Sequence, residues 1–209
     1  MNMPQSLFIE AGDWFKPLKW DDYVPTNQPI EVDRGAGDGG FLVERARVHP
    51  NVNFLAVERL LGRARKIDKK ARRLALTNLR VLRMESLYAV RWLFPSRSIR
   101  TFHLLFPDPW PKKKHHKHRI IRAAYGEPRQ GRGDFLGAIE SALEPGGNFF
   151  SATDHGEYFA EIFEAFKSQP GWEVARVEDK DWFEQKTDFE IEFQRLKAPI
   201  QRLRANWKD

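Results

Sequence analysis

The stretch PIEVDRGAGDGGFLVERARVHPNVNFLAVE, residues 29–58, decides the fold of this chain. It begins with a short apolar run that predicts a strand over residues 29–32. A glycine-rich loop follows, and residues 41–48 then have the apolar spacing of a helix. A second apolar run predicts a strand over Asn53–Val57. A strand, a glycine loop, a helix and a strand in this order are typical of the first unit of a parallel sheet.

The alternation of strands and helices continues along the chain. Helices are predicted over residues 60–74, 87–94, 134–143 and 158–166, and strands over residues 79–82, 98–106, 148–153, 172–177 and 189–196. No helix separates the last two strands, so we expect them to form an antiparallel pair. The sequence therefore predicts an α/β, Rossmann-like fold with a mostly parallel seven-stranded sheet and helices on both faces. We interpret residues 1–27 as an N-terminal arm packed on a single domain of residues 28–209.

The composition excludes several classes of site. The chain of 209 residues contains no cysteine, which excludes disulfides, thiolate zinc sites and a cysteine nucleophile. No apolar run approaches the roughly 18 residues that a membrane-spanning helix needs. The first residues also lack the basic and apolar regions of a signal peptide. We therefore predict a cytoplasmic protein without membrane association.

Positive charge is concentrated in two patches. The net charge is +6, and the first patch is a basic run in residues 59–73. Its members are Arg59, Arg63, Arg65, Lys66, Lys69, Lys70, Arg72 and Arg73. The second patch, residues 112–119, contains only lysine, histidine and arginine. Clustered cations favour a polyanionic partner over charge that serves solubility alone.

The glycine loop leaves the choice of cofactor open. Gly35, Gly37 and Gly40 match a dinucleotide fingerprint, and Glu58 lies near the place expected for a ribose ligand. Enzymes that use S-adenosylmethionine have a related loop with an acidic residue at the end of the preceding strand, where Glu31 is predicted. A tight turn without any ligand is the third interpretation. We take Gly35 and Gly37 as candidate cofactor contacts.

Two further carboxylates follow predicted strands. Glu85 comes after the third strand and Asp108 after the fourth. Because the carboxyl ends of parallel strands meet at one edge of a sheet, we expect both side chains near Glu58 and the glycine loop. Glu58 can accept hydrogen bonds from ribose hydroxyls, and Glu85 can accept one from an adenine amino group.

The segment FPDPWPKKKHHKHR, residues 106–119, combines three features that favour a nucleobase in RNA as the substrate. Pro107 and Pro109 restrict the backbone on both sides of Asp108. Trp110 follows, and either stacks on a base or belongs to the core. The cations behind it contact phosphates or form a solvated loop. The histidines of this segment have no carboxylate neighbours in the sequence, so we predict no metal site.

Together these motifs resemble those of bacterial tRNA (guanine-N(7)-)-methyltransferases, a family of class I S-adenosylmethionine-dependent methyltransferases. The resemblance covers residues 29–209. Besides residues 106–119, it rests on Ala152-Thr153-Asp154 and on Thr187-Asp188-Phe189-Glu190. It implies S-adenosyl-L-methionine as cofactor, tRNA as partner and methyl transfer to nitrogen seven of a guanine in the variable loop. Whether the protein is a monomer or a homodimer stays open.

The resemblance also implies roles for individual residues. Asp108 matches the residue proposed as catalytic in the family. The expected cofactor contacts are Glu31, Gly35, Gly37, Glu58, Glu85 and Asp108. The expected substrate contacts are Lys112, Asp154, Thr187, Asp188, Phe189 and Glu190. From the charge pattern, we expect the RNA backbone to contact Lys113, Lys114, Lys117 and Arg119.

One departure from the family pattern keeps two alternatives open. Asp33 stands where the family usually has the first glycine of the loop. Its charge either helps to hold a cationic cofactor or obstructs the approach of the cofactor to the backbone. The alternatives are a catalytically inactive RNA-binding protein with a methyltransferase fold, and an NAD-dependent oxidoreductase that uses the glycine loop.

Overall fold

A computed structural model describes residues 6–25, 27–122 and 134–208. Its strands form one seven-stranded sheet in the order β3-β2-β1-β4-β5-β7-β6. The pairs formed among β1 to β5 are all parallel, whereas β7 runs antiparallel to both β5 and β6. The strands are β1 (Ile30–Arg34), β2 (Asn53–Val57), β3 (Leu79–Leu82), β4 (Ile99–Leu105), β5 (Leu143–Thr153), β6 (Trp172–Arg176) and β7 (Gln201–Trp207). The predicted fold class and the antiparallel C-terminal pair are confirmed.

Helices cover both faces of the sheet. They are α1 (Gly40–Val48), α2 (Leu61–Arg73), α3 (Ser86–Tyr88), α4 (Asp134–Ala142), α5 (Gly156–Lys167) and α6 (Asp188–Arg195). Helices α1 and α2 pack on one face, against Phe54, Ala56 and Val81, and α3 to α5 pack on the other, against Leu55 and Val57. Neighbouring residues of β2 therefore enter different cores, as side chains alternate along a strand. None of the described helices combines the length and apolar character of a membrane span.

The assignment of residues 189–196 to a strand is wrong, because these residues lie in helix α6. The hydroxyl of Thr187 accepts a hydrogen bond from the backbone N–H of Glu190 at 3.0 Å and so caps the helix. Ile191 and Phe193 alternate with polar residues, a spacing that also fits a strand. The second strand of the antiparallel pair is β7, which begins at Gln201.

Residues 6–25 lie against β3 and the helical region that follows it. The N–H of Ile9 donates to the carbonyl of Val81 at 2.9 Å, and the N–H of Val81 donates to the carbonyl of Leu7 at 2.9 Å. Further along, the N–H of Leu18 donates to the carbonyl of Leu93 at 2.8 Å. Leu7, Ile9 and Leu18 are buried, so this segment contributes to both hydrophobic cores.

Candidate functional site

A cavity of about 1300 Å³ opens at the carboxyl ends of the parallel strands. It is larger than the roughly 300–1,000 Å³ of a typical small-molecule site. The cavity brings together residues that are far apart in the sequence. The predicted site residues that line it are Gly35, Gly37, Glu58, Glu85, Asp108, Asp154, Thr187, Asp188 and Phe189.

The glycine loop forms one wall of the cavity. Gly35 and Gly37 have φ angles of +73° and +56°, which side chains other than glycine rarely adopt. A Cβ atom added to either residue would meet no heavy atom within 4 Å. The loop therefore exposes bare backbone to any ligand in the cavity.

Glu58 fastens this loop to the end of β2. The side chain is buried, and its two carboxylate oxygens accept hydrogen bonds from the N–H groups of Gly37 at 3.1 Å and Leu60 at 2.8 Å. A carboxylate can accept about four hydrogen bonds, so acceptor capacity is left for a ligand hydroxyl. The site thus offers a fixed acceptor beside the bare backbone of the loop.

Glu85 holds a comparable position at the end of β3. It caps α3, because its carboxylate accepts hydrogen bonds from the N–H groups of Leu87 at 3.0 Å and Tyr88 at 2.9 Å. The same residue lines the cavity. Its contact with a cofactor stays a prediction.

The structure places Glu31 outside the cavity. The sequence pattern predicts Glu31 at the end of the first strand. Strand β1 instead continues to Arg34, and Glu31 is its second residue. Its carboxylate accepts a hydrogen bond from Arg45 at 2.9 Å and contacts the ring nitrogen of His103 at 2.9 Å. Although burial raises the pKa of Glu31, these two partners hold it below its ordinary value. Glu31 therefore joins α1 to the sheet.

Asp33 occupies the place in the cavity that was expected for Glu31. It is 3% exposed and lies at the end of β1. Burial and the nearby charge of Glu58 raise the pKa of Asp33 to about 7, while Arg34 and Arg45 oppose the change. Near neutral pH, the Asp33 carboxyl in the cavity wall is therefore about half neutral and half ionised.

The segment after β4 projects Asp108 into the cavity. Phe106 and Trp110, on either side of it, have φ angles of +49° and +44°, which are unusual for bulky residues. The Asp108 carboxylate accepts a hydrogen bond from the N–H of Trp110 at 3.1 Å and remains exposed. The peptide bonds before Pro107 and Pro109 are trans. Positive φ angles at bulky residues such as Phe106 and Trp110 are often found where a protein fixes a functional side chain.

Phenylalanine rings line the cavity next to Asp108. The centroids of Phe106 and Phe193 are 5.5 Å apart, and those of Phe189 and Phe193 are 6.3 Å apart with ring planes 19° from parallel. Phe189 is 53% exposed. The sequence had suggested a role for Phe189 alone. The spacing of four residues between Phe189 and Phe193 would have indicated a shared face, had the helix been recognised.

Arg119 does not face solvent, so its predicted contact with the RNA backbone is wrong. Its side chain is 0% exposed and lies over the ring of Tyr158. The guanidinium donates to Glu161 at 2.6 Å, to Glu157 at 3.2 Å and to the carbonyl of Pro109 at 2.8 Å. Arg119 therefore anchors the segment that carries Asp108 to helix α5.

Two other predicted substrate contacts also lie away from the cavity wall. Glu190 is buried and accepts a hydrogen bond from Arg202 at 2.7 Å, with Lys186 at 3.1 Å. Lys112 is exposed but does not line the cavity. It precedes the short 3-10 helix Lys113–His118, on which the predicted RNA contacts Lys113, Lys114 and Lys117 are exposed.

Replacing Arg119 by alanine should lower the free energy of unfolding by about 3 kcal/mol, because a large buried side chain is removed and Glu161, which is 15% exposed, loses its buried partner. Urea unfolding followed by circular dichroism measures the change. The control is Lys117→Ala on the same segment, where the side chain is exposed, and it should change the free energy by less than about 0.5 kcal/mol. Equal effects of the two substitutions would show that Arg119 is not an anchor.

Among residues 6–25, 27–122 and 134–208, no group of three or more histidine, aspartate or glutamate side chains is arranged to hold a metal ion. The histidines near Asp108 instead pack on a ring. The centroids of His115 and His118 lie 5.9 and 5.0 Å from that of Trp110. Trp110 therefore supports the basic segment and also lines the cavity.

Comparison with known proteins shows the family to which this chain belongs. A family model described as "Putative methyltransferase" matches residues 27–203. A tRNA (guanine-N(7)-)-methyltransferase of Myxococcus xanthus is 36% identical over 152 residues, which are 73% of this chain and 69% of that protein. The chain belongs to this methyltransferase family. A relative of the same name from Thermotoga maritima is 34% identical over 181 residues, covering 86% of this chain and 53% of the relative. The chain spans 53–61% of the length of three such relatives.

Solved structures of methyltransferases share the fold of this family member. The 16S rRNA methyltransferase KamB matches with a TM-score of 0.59 and 17% sequence identity, over 87% of this chain and 89% of that chain. A precorrin-6y C5,15-methyltransferase from Geobacter metallireducens matches with a TM-score of 0.56 and 15% identity, over 88% of this chain and 83% of that chain. The class I methyltransferase fold is therefore confirmed.

Proposed function

We propose that this protein transfers a methyl group from S-adenosyl-L-methionine to nitrogen seven of a variable-loop guanine in tRNA. The observation that carries the proposal is the shared cavity. It joins the glycine loop and Glu58 to Asp108 and the ring of Phe189, with exposed lysines on the segment behind Asp108. Membership of the methyltransferase family supports it, as does the resemblance to tRNA methyltransferases in residues 106–119.

The residues at the glycine loop fit the proposed cofactor. Open backbone at Gly35 and Gly37 leaves space for its amino-acid end, and Glu58 has acceptor capacity for ribose hydroxyls. Glu85 can accept a hydrogen bond from the adenine amino group. Asp33 lines the same cavity, and a positive charge on the bound cofactor would favour the ionised form of the Asp33 carboxyl. When bound, the cofactor supplies an electrophilic methyl group on a sulfonium.

Methyl transfer to nitrogen seven of guanine requires few catalytic groups from the protein. Nitrogen seven carries a lone pair in the ring plane and no proton, so no strong base is needed. Rate then comes mainly from alignment and from fixed charges that match the charge developing on the purine. In this proposal, Asp108 accepts a hydrogen bond from the guanine amino group or ring N–H, and Asp154 shares that task. Phe189 and Phe193 provide a surface on which a splayed base can stack.

Other observations bear on the two alternatives. Membership of the methyltransferase family supports methyl transfer over hydride transfer to a nicotinamide. The inactive alternative depended on Asp33 as an obstacle in the loop. Asp33 instead belongs to β1, with its side chain buried in the cavity wall, and the backbone of Gly35 and Gly37 is open beside it. This arrangement favours an active cofactor site.

An assay with tritiated cofactor and an unmodified tRNA transcript tests the proposal. Radioactivity should enter the RNA, and chemical cleavage at 7-methylguanosine should map it to the variable loop. The control is the same tRNA with the variable-loop guanine replaced by adenine, which should accept no methyl group. Binding of tRNA without incorporation would support the inactive alternative. The cytoplasmic location and the oligomeric state stay predictions.

Neutralising Lys112, Lys113 and Lys114 together should weaken tRNA binding and make it less sensitive to salt. Each lost phosphate contact removes about 0.7–0.9 from the slope of the logarithm of the binding constant against the logarithm of the salt concentration. We expect the magnitude of that slope to fall by about 2–3, measured by filter binding across a salt series. An unchanged slope would mean that the lysines are only solvated.

The matched control for this experiment removes the same charge elsewhere. It combines Arg47→Gln, Lys167→Gln and Lys208→Gln, whose side chains are 53%, 63% and 60% exposed. Arg47 and Lys167 lie near the C-terminal ends of α1 and α5, and Lys208 follows the antiparallel strand β7. All three are therefore at the end of the sheet opposite the cavity. This variant should bind tRNA within about twofold of the unaltered protein.

A further inference from the structure

Helix α2 has an apolar face and a uniformly basic face. Its buried positions are Ala64, Ile67, Asp68 and Ala71, which recur at the spacing of one helical face. Asp68 is the one acidic residue of the helix, and it is buried where it accepts a hydrogen bond from the N–H of Leu7 at 2.9 Å. The exposed charged residues of the helix are Arg63, Arg65, Lys66, Lys69 and Arg73.

This basic face begins at the cavity. Arg59, Arg63 and Lys66 line the cavity wall. Arg65, Lys69 and Arg73 continue the positive charge away from it, and we call these three residues the α2 basic surface. With a rise of about 1.5 Å per residue, the distance along the helix from Arg63 to Arg73 is about 15 Å. That length accommodates several phosphates of one nucleic-acid strand.

Most of the cations on this face have no acidic partner. Lys66 pairs with Asp38 at 2.7 Å, and Arg72, at the border of the face, pairs with Asp68 at 3.3 Å. Arg63 and the α2 basic surface form no ion pair with any residue that the structure describes. Adjacent like charges repel one another, so a run of unpaired cations is compensated best by a polyanion.

The α2 basic surface and residues 112–117 flank the cavity from opposite faces of the sheet. Helix α2 packs on the same face as α1. The segment with residues 112–117 is anchored through Arg119 to α5, which packs on the other face. Their strands β2 and β4 are separated only by β1, a distance of about 10 Å. A single RNA that places one nucleotide in the cavity can therefore contact both surfaces.

We propose that the α2 basic surface binds the tRNA backbone on the opposite side of the cavity from residues 112–117. The inference rests on the proposed function, because it takes tRNA as the substrate. It adds a second contact, which holds the phosphates on the other side of the nucleotide that enters the cavity. An RNA is favoured over an anionic membrane because the surface is continuous with the wall of a cavity that contains stacking rings.

The test combines Arg65→Gln, Lys69→Gln and Arg73→Gln in the full chain. None of these side chains lines the cavity. We expect tRNA binding at 0.1 M salt to weaken by about 10- to 100-fold. The slope of the logarithm of the binding constant against the logarithm of the salt concentration should fall in magnitude by about 2–3. Affinity for S-adenosylhomocysteine, measured by calorimetry, should not change. The control variant Arg47→Gln, Lys167→Gln, Lys208→Gln removes equal charge, and a variant with Arg65→Lys and Arg73→Lys should keep the original slope.

The outcomes separate this inference from the proposed function. If the unaltered protein methylates tRNA and the α2 variant keeps the salt slope of the control variant, the inference alone is wrong. If the unaltered protein binds tRNA with the predicted slopes but transfers no methyl group, the proposed function alone is wrong. If it binds no tRNA, both are wrong. If the α2 variant no longer binds phosphatidylserine vesicles but its tRNA binding keeps the original dependence on salt, the surface binds membranes instead.

Discussion

Replacing Asp108 by alanine is expected to lower the rate of methyl transfer by about 10²–10³-fold, with tRNA affinity within about twofold of the original. The carboxylate is the only charged group of the segment Phe106–Trp110, and the backbone on both sides holds it at the cavity. It would orient guanine and oppose the positive charge that moves onto the purine. A loss of this kind affects the transition state much more than it affects the bound RNA.

Single-turnover kinetics at saturating tRNA and cofactor measure this effect apart from binding. Asp108→Asn keeps a hydrogen-bond acceptor but removes the charge, so it should retain more activity than Asp108→Ala. The ratio of the two rates reports how much the charge contributes. Turnover of Asp108→Ala close to that of the unaltered protein would remove Asp108 from the mechanism.

Replacing Asp33 by asparagine is expected to change how stability depends on pH. The pKa of Asp33 is raised from 3.8 to about 7 in the folded protein, because the carboxyl is buried and faces Glu58. Between these two values the folded state keeps a proton that the unfolded state has released. The free energy of unfolding therefore falls as pH rises from about 4 to about 7, and Asp33 causes no further change above that range.

The size of this effect follows from the shift in pKa. A difference of about 3 pH units corresponds to about 4 kcal/mol of lost stability. An asparagine cannot ionise, so the Asp33→Asn variant should lose about 4 kcal/mol less than the unaltered protein between pH 4 and pH 8. Because the comparison is between two pH values, any packing cost of the amide cancels.

Urea unfolding at a series of pH values measures this difference. Glu58→Gln is the control, since removal of the neighbouring charge should lower the pKa of Asp33 and weaken the pH dependence only in part. Stability curves that run parallel for the unaltered protein and the Asp33→Asn variant would show that Asp33 is ionised throughout. That result would contradict a pKa of about 7 for Asp33 in the folded protein.

The fold was largely predictable from the sequence because its signals are local. Apolar runs and glycine loops alternate at the spacing of a parallel sheet, and nearly all of these elements form. The exception is α6, which is short and amphipathic, with Ile191 and Phe193 spaced as in a strand. The capping hydroxyl of Thr187 was the local signal for a helix, and the apolar alternation outweighed it in the prediction.

The site was less predictable, because charge does not report burial. Arg119 belongs to a basic run in the sequence, yet acids of α5, about 40 positions away, enclose it. Glu31 and Asp33 are two residues apart on one strand, and the point where β1 ends decides which of them reaches the cavity. Both facts depend on contacts between distant parts of the chain, which residue patterns do not record.

The contact of residues 7–9 with Val81 also affects how the protein behaves among other chains. Strand β3 is the outermost strand on its side of the sheet, and such strands recruit further chains when their amides and carbonyls are unpaired. Here the bridge between Phe8 and Val81 uses both groups of Val81. A protein shortened to begin at residue 10 would expose them and become prone to aggregation through intermolecular strand pairing.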